Sequence, residues 1–102
     1  MIISHSLKGA VMIKSFKHKG LEQYFRQGIT RGLRIDHIKK INGILDVIDR
    51  AKVVDEFLPF YQCHKLRGDR EGIWSMTVSG NWRITFEFID GDAYVLNYED
   101  YH

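Results

Sequence analysis

The sequence predicts an α+β domain in which two helices pack on one face of a mostly antiparallel sheet of about four to five strands. Two observations support this prediction. Apolar residues recur at helical spacing in the first half of the chain, whereas aromatic and β-branched residues alternate with polar ones in the second half. With 102 residues and 44% hydrophobic content, the chain can fill one modest core. We therefore expect a single globular domain.

The first half begins with a short predicted strand and continues with two predicted helices. Residues 11–16 form the strand, and Leu21, Tyr24 and Phe25 share one face of a helix that should end near Gly28. The second helix is marked by an apolar stripe at steps of three and four, with charged residues on its other sides. The stripe comprises Ile35, Ile38, Ile41, Leu45 and Ile48. The apolar stripe of such a helix must be buried, and we expect it to pack on the sheet.

The second half predicts four strands, at residues 61–66, 73–78, 82–89 and 93–98. In the first hairpin, a three-residue loop centred on Gly80 would bring all apolar partners onto one face. Its pairs would be Val78 with Trp82, Met76 with Ile84, and Trp74 with Phe86. Arg83 would then point away from the core. In the second hairpin, Asp90 and Gly91 favour a two-residue turn. That turn would not pair the apolar residues Phe86 and Leu96 on the same face, so the register of this hairpin stays open.

Composition disfavours several classes of protein. No apolar run approaches the roughly 20 residues that span a bilayer, and the N-terminus lacks the pattern of a secretory signal. We therefore expect a soluble cytoplasmic protein with no membrane partner. The single cysteine, Cys63, cannot form an internal disulfide and has no zinc-type spacing around it. We expect Cys63 to be buried or half-buried and the protein to need no metal or cofactor.

Charge is unevenly distributed. Residues 1–67 contain 13 Lys or Arg against 6 Asp or Glu, while residues 68–102 contain 2 against 7. A basic half suits contact with phosphate groups, although solvated helix faces explain most surface lysines. Charge alone favours a nucleic-acid partner only weakly.

Residues that could cleave RNA occur in three stretches: residues 64–67, Arg83, and residues 100–102. RNA cleavage by its own 2′-hydroxyl needs a base, cations for the crowded phosphorane and an acid for the 5′-oxygen, and His, Arg, Tyr and Asp supply these roles. Each residue also has a plainer interpretation. His64 could be a structural histidine, the arginines could be solvated, and the terminus could be frayed. The residue pattern alone indicates a basic α+β domain with possible RNA binding.

Longer motifs resemble the HigB toxins of the RelE/ParE superfamily. They are MIKSF at residues 12–16, HKLRGDR at 64–70, NWRITF at 81–86, GDAY at 91–94 and YEDYH at 98–102. The resemblance covers about nine-tenths of the chain, and the NWRITF strand with a terminal DYH is a specific combination. It implies a RelE-like microbial RNase fold for residues 12–102 and leaves residues 1–11 as an N-terminal extension without an expected function.

The resemblance also implies an activity and partners. Relatives of this kind cleave mRNA in the ribosomal A site, which inhibits translation and growth, and a HigA-like helix-turn-helix antitoxin neutralises them and binds operator DNA with them. The implied site has no metal. By the same resemblance, the catalytic residues would be His64, Arg67, Arg83, Asp100, Tyr101 and His102, and the further RNA-binding residues would be Lys65, Arg70 and Asn81.

Two other functions remain open at this point. Some members of the superfamily poison DNA gyrase by binding it, without catalysis, but a gyrase binder has no need for His64, Arg67, Arg83 and a Tyr101-His102 terminus together. The other is an RNase that acts without the ribosome, which the scarcity of a strong general base disfavours. We expect the ribosome-dependent nuclease.

Overall fold

The structure is a computed structural model that describes residues 12–100, and it places two helices on one face of a four-stranded antiparallel sheet. The strands follow one another in the sheet in chain order. The elements are α1 Lys19–Gln27, α2 Ile38–Arg50, β1 His64–Lys65, β2 Trp74–Ser79, β3 Trp82–Ile89 and β4 Asp92–Asp100. Short 3₁₀ turns occur at Ile35–His37, Val54–Glu56 and Gly68–Arg70. The predicted α+β class is confirmed.

The helices follow the predicted apolar pattern with one exception. Helix α1 ends at Gly28, whose φ of 76° lets its backbone N–H satisfy the last carbonyls. The face of α2 that packs on the sheet is completely buried at Ile41, Ile44, Leu45 and Ile48. Ile35, which we predicted on this face, is 87% exposed. That prediction is wrong because the 3₁₀ turn before α2 rotates Ile35 off the stripe.

The first hairpin has the predicted register in its interior but a different turn. Trp74 pairs with Phe86 and Met76 pairs with Ile84, as expected. The predicted three-residue loop is wrong: Ser79 lies opposite Trp82, so the turn has two residues, and the ladder shifts between Thr77 and Ser79. The extra residue, Val78, forms a bulge and stays buried.

The second hairpin combines a two-residue turn with a bulge. Ile89 lies opposite Asp92, so Asp90 and Gly91 form the turn. Further along, the register shifts between Thr85 and Glu87, and Val95 takes a positive φ of 57°. The bulge lets both Ala93 and Leu96 face the core, where both are fully buried. It removes the mismatch that left this register open.

Residues 12–18 run along the free edge of β4. Ile13 and Phe16 form isolated parallel bridges with Ala93 and Leu96, so the predicted N-terminal strand is present as two bridges and not as a continuous strand. The buried Asp49 of α2 accepts hydrogen bonds from the backbone N–H groups of Met12 and Ile13, at 3.0 and 3.1 Å. Residues 1–11, the predicted extension, lie outside the described residues.

The predicted strand at residues 61–66 is shortened to β1. Tyr61 and Gln62 have φ values of 55° and 53°, which bend the chain just before the strand. Cys63 in this segment is half-buried, as predicted, and burial raises the pKa of its thiol to about 12. The thiol is therefore no candidate for a nucleophile.

Candidate functional site

The sheet face turned away from the helices, called the open face here, is polar across all four strands. In-register pairing aligns His64 with Ser75, Ser75 with Thr85, and Thr85 with Asn97. The next row contains Thr77, Arg83 and Glu99. Since side chains alternate along a strand, these residues lie opposite the core-facing Met76, Ile84 and Tyr98. Arg83 is thus on the face where the sequence placed it.

Arg83 is held on this face by backbone carbonyl groups. Its Nη1 donates to the carbonyl of Gly80 at 2.8 Å and to that of Trp82 at 3.4 Å. Neither contact is with a carboxylate, so no direct ion pair neutralises this guanidinium within the described part of the chain. Asn81 lies exposed in the turn two residues earlier. The arrangement leaves a fixed positive charge that can bind a phosphate group.

His64 is exposed at the edge of the sheet. Its Nδ1 lies 3.1 Å from the carbonyl oxygen of Gln62. A carbonyl only accepts, so Nδ1 is the donor in this contact, and in the neutral imidazole Nε2 then holds the lone pair. His64 is therefore not the satisfied core histidine that the sequence left open, and its Nε2 is suited to accept or return a proton.

A shallow depression of about 570 Å³ lies at the β1 edge. Its lining residues are His64, Lys65, Leu66, Arg67, Gly68 and Glu71. His64 and the exposed Arg67 therefore border the same surface concavity. Lys65 also borders the depression, but its side chain lies toward the helix side of the sheet. Lys65 pairs with Trp74, and its Nζ lies 5.4 Å from the centroid of the Trp74 ring, which packs against the core.

Arg70 reaches across the open face and is ion-paired. It leaves the turn that precedes β2, and its Nη2 lies 2.6 Å from a carboxylate oxygen of Glu99 on β4. Thr85 donates its hydroxyl to the same carboxylate oxygen at 3.3 Å. Glu99 was absent from the candidates drawn from the sequence. The signal that could have identified it is its position after Tyr98, a large aromatic residue that strand alternation would direct to the face opposite that of Glu99.

Strand alternation separates one C-terminal candidate, Asp100, from Arg83. Asp100 lies opposite Trp82 in the β3–β4 ladder, on the helix side of the sheet. The pKa of Arg34 is raised mainly by its hydrogen bond to Asp36 and, to a smaller extent, by the charge of Asp100, which agrees with this placement. Tyr101 and His102 lie outside the described residues.

Residues 12–100 lack the features of two other kinds of site. No helix in this range is long and apolar enough to cross a membrane. The same range contains no group of three or more His, Cys, Asp or Glu side chains arranged to hold a metal ion.

Comparison with known proteins identifies the class to which this two-helix, four-stranded α+β domain belongs, a class of small toxins. Residues 14–102 match the family described as the RelE-like toxin of the type II toxin-antitoxin system HigB. The chain belongs to this family. It is also 56% identical over 92 residues to the Endoribonuclease HigB of Proteus vulgaris, a match that covers 89% of this chain and all of the relative.

Proposed function

We propose that this protein is an endoribonuclease that cleaves mRNA in the ribosomal A site and so inhibits translation and growth. The observation that supports this most strongly is on the open face. There Arg83 offers a positive charge with no carboxylate partner in the described part of the chain, and His64 is exposed with its Nε2 available. The name of the Proteus vulgaris relative supports the same class of reaction.

The proposed reaction uses the RNA's own nucleophile. A base removes the 2′-hydroxyl proton, the 2′-oxygen bonds to the adjacent phosphorus, and the bond from phosphorus to the 5′-oxygen breaks as an acid protonates that oxygen. The products are a 2′,3′-cyclic phosphate, or the 3′-phosphate formed from it, and a 5′-hydroxyl. Because the nucleophile is built into the substrate, the reaction needs no metal-activated water.

The side chains divide these roles. We assign His64 and His102 to the acid and base, and Arg83 and Arg67 to the charge of the phosphorane. The Cα atoms of His64 and Arg83 are two strands and two residues apart, about 12 Å, so that a phosphate fits between their side chains. Asp100 and Tyr101 would support the terminal histidine, and Lys65 and Asn81 would contact flanking nucleotides.

The proposed partners follow from the family. The toxin would be neutralised by a HigA-like helix-turn-helix antitoxin, and the pair would bind operator DNA through the antitoxin. Its substrate would be mRNA on the small ribosomal subunit, in the cytoplasm. A non-catalytic toxin that poisons DNA gyrase is the alternative. It gives no role to an exposed histidine on the same sheet face as an arginine that has no carboxylate partner among residues 12–100.

A comparison of three assays tests the proposal: cleavage of ribosome-held mRNA, cleavage of free mRNA, and supercoiling by gyrase. Purified toxin should cut mRNA held on ribosomes at least about a hundredfold faster than the same mRNA free in solution, since the ribosome fixes the scissile geometry. Gyrase supercoiling should be unaffected. Equal cleavage of free mRNA, or intact mRNA with inhibited gyrase, would contradict the proposal. Products ending in a 3′-hydroxyl would contradict its chemistry.

A further inference from the structure

The loop at residues 67–72 is folded tightly between β1 and β2. Its base is closed by a hydrogen bond of 2.8 Å from the Leu66 N–H to the Ile73 carbonyl. Inside it, the N–H groups of Glu71 and Ile73 donate to the carbonyls of Gly68 and Arg70. Arg67, one of the proposed phosphate ligands, is the first residue of this loop. Anything that fixes the loop therefore also fixes the backbone from which the Arg67 side chain extends.

Arg70 connects this loop to the far side of the sheet. Its guanidinium binds the Glu99 carboxylate through both oxygens, at 2.6 and 3.3 Å. The two side chains are only 34% and 25% exposed. The contact is a bidentate salt bridge, in which two guanidinium nitrogens bind two carboxylate oxygens. Its geometry is more restricted than that of a solvent-exposed ion pair.

Residues near this bridge are shielded from solvent although they lie outside the helix-side core. Ser75 and Thr85 lie on the face opposite the core, yet they are 1% and 3% exposed. Leu66 is also buried, although it is not part of the helix-side core. The Arg70 bridge passes from the turn before β2 to Glu99 on β4, and Thr85 contacts it, since its hydroxyl donates to the Glu99 carboxylate.

The pairing of Glu99 is selective. Glu99 lies directly opposite Arg83 in the β3–β4 ladder, but its carboxylate is bonded to Arg70 and Thr85. Among residues 12–100, the open face therefore contains one arginine neutralised by a carboxylate, Arg70, and one bonded only to carbonyl groups, Arg83. The neutralised arginine is poorly suited to bind a second anion, whereas Arg83 keeps its full charge.

We infer that Arg70 and Glu99 are positioning residues, which hold the loop so that Arg67 and His64 face Arg83 across the scissile phosphate. In this role Arg70 does not bind RNA directly. The inference rests on the proposed function and deepens it. It assigns Arg70 a role different from the RNA contact that the family resemblance implied, and the two roles predict opposite effects for one variant.

That variant is Glu99→Ala. If the pair positions the loop, Glu99→Ala and Arg70→Ala should each lower kcat on ribosome-held mRNA by at least about tenfold with little change in KM, because misplaced groups act on the chemical step. The double variant should be no slower than either single variant, since both break one unit. If Arg70 binds RNA, Glu99→Ala would free a cation and leave cleavage unchanged or lower KM.

A conservative variant and a matched control distinguish loss of positioning from a general loss of folding. Arg70→Lys keeps the charge but loses the second hydrogen bond, so positioning predicts a partial loss of kcat, whereas an RNA contact predicts little change. As a matched control, Asp46→Ala and Arg50→Ala break an exposed ion pair on α2 and should leave cleavage within about twofold of the wild type.

Hydrogen exchange separates failure of this inference from failure of the proposed function. In both alanine variants, the amides of Glu71 and Ile73 should exchange faster while those of β3 do not. Unchanged exchange in this loop would overturn the positioning role whatever the activity. A wild-type protein that cleaves no RNA would overturn the proposed function, and the exchange rates would still decide whether the pair holds the loop.

Discussion

The Nδ1 atom of His37 lies 2.7 Å from the hydroxyl of Tyr98, joining the turn before α2 to the C-terminal part of β4. Both side chains are buried, at 4% and 5% exposure. Trp82 stacks on Tyr98 with ring centroids 4.7 Å apart. The His37 ring packs against Trp82 in an edge-to-face arrangement. Trp82 precedes Arg83, and Tyr98 is followed by Glu99. The contact therefore supports the two strand ends that the site uses.

Replacing Tyr98 by Phe tests this support with the loss of one oxygen atom. The variant leaves a buried ring nitrogen of His37 without its partner, so the free energy of unfolding should fall by about 1–3 kcal/mol. Urea denaturation measures this change. Tyr94→Phe, at a half-buried position of the same strand, is the control and should cost less than about 0.5 kcal/mol. Equal effects of the two variants would show that the contact contributes nothing.

His18 predicts a pH dependence of stability. Its Nδ1 accepts a hydrogen bond of 3.0 Å from the Leu21 N–H and so caps α1, and burial lowers its pKa below the ordinary value. The unfolded chain then takes up the proton more readily than the folded one. The contribution of this residue is therefore complete above the unfolded pKa of about 6.5 and is lost as the pH falls below it.

The variant His18→Asn isolates this effect. Asparagine keeps a capping oxygen but does not titrate, so stability should fall less between about pH 7.5 and about pH 5.5 than in the wild type. Thermal unfolding at both pH values measures the difference. Parallel curves for the two proteins would mean that protonation of His18 does not weaken the cap.

The buried Asp49 bears on where a functional chain can begin. In a protein starting at Met12, the α-amino group would replace the Met12 amide that Asp49 now binds, and it would add a positive charge beside the carboxylate. We expect this shorter protein to fold with a free energy of unfolding within about 1 kcal/mol of the longer one, and to remain toxic. A much larger loss of stability would show that residues 1–11 contribute to the fold.

The elements of this fold were predictable where buried apolar residues recur at the regular spacing of a helix or strand. They were not predictable where a β-bulge interrupts that spacing. The α2 stripe and the interior pairs of the first hairpin follow from periodicity. The bulges at Val78 and Val95 do not, because an extra residue in a strand leaves no periodic signal. Val95 even takes a φ of 57°, which β-branched residues rarely adopt. The same bulges decide which residues face the core, so a register could not be assigned to the second hairpin.

The candidate site was predictable as a set of residue types, but not as a set of contacts. Motif resemblance pointed to Arg70 without indicating that it pairs with Glu99, which lies 29 residues away. Partners so distant in sequence leave no local signal. Asp100 was grouped with Arg83, but alternation along β4 puts it on the other side of the sheet. Its proposed role is therefore indirect support of the terminus.

Removal of Tyr101 and His102 distinguishes a catalytic terminus from a passive one. Because little apolar area is lost, folding and antitoxin binding should remain nearly unchanged, while loss of an acid or base lowers the rate by about a hundredfold or more. Growth arrest on expression, with circular dichroism as the folding control, measures the outcome. Full toxicity of the shortened protein would move the proposed site to His64, Arg67 and Arg83.

The most direct test of the account is the cleavage rate of ribosome-held mRNA by Arg83→Ala, measured beside the wild type and Arg50→Ala. Both variants lose one arginine, but only Arg83 lies on the open face. Removing a cation from the developing phosphorane should lower kcat by about a hundredfold or more, while Arg50→Ala stays within about twofold. The assignment of the open face as the cleavage site would be contradicted if a folded Arg83→Ala protein had the kcat of the wild type. It would also be contradicted if kcat fell equally in both variants.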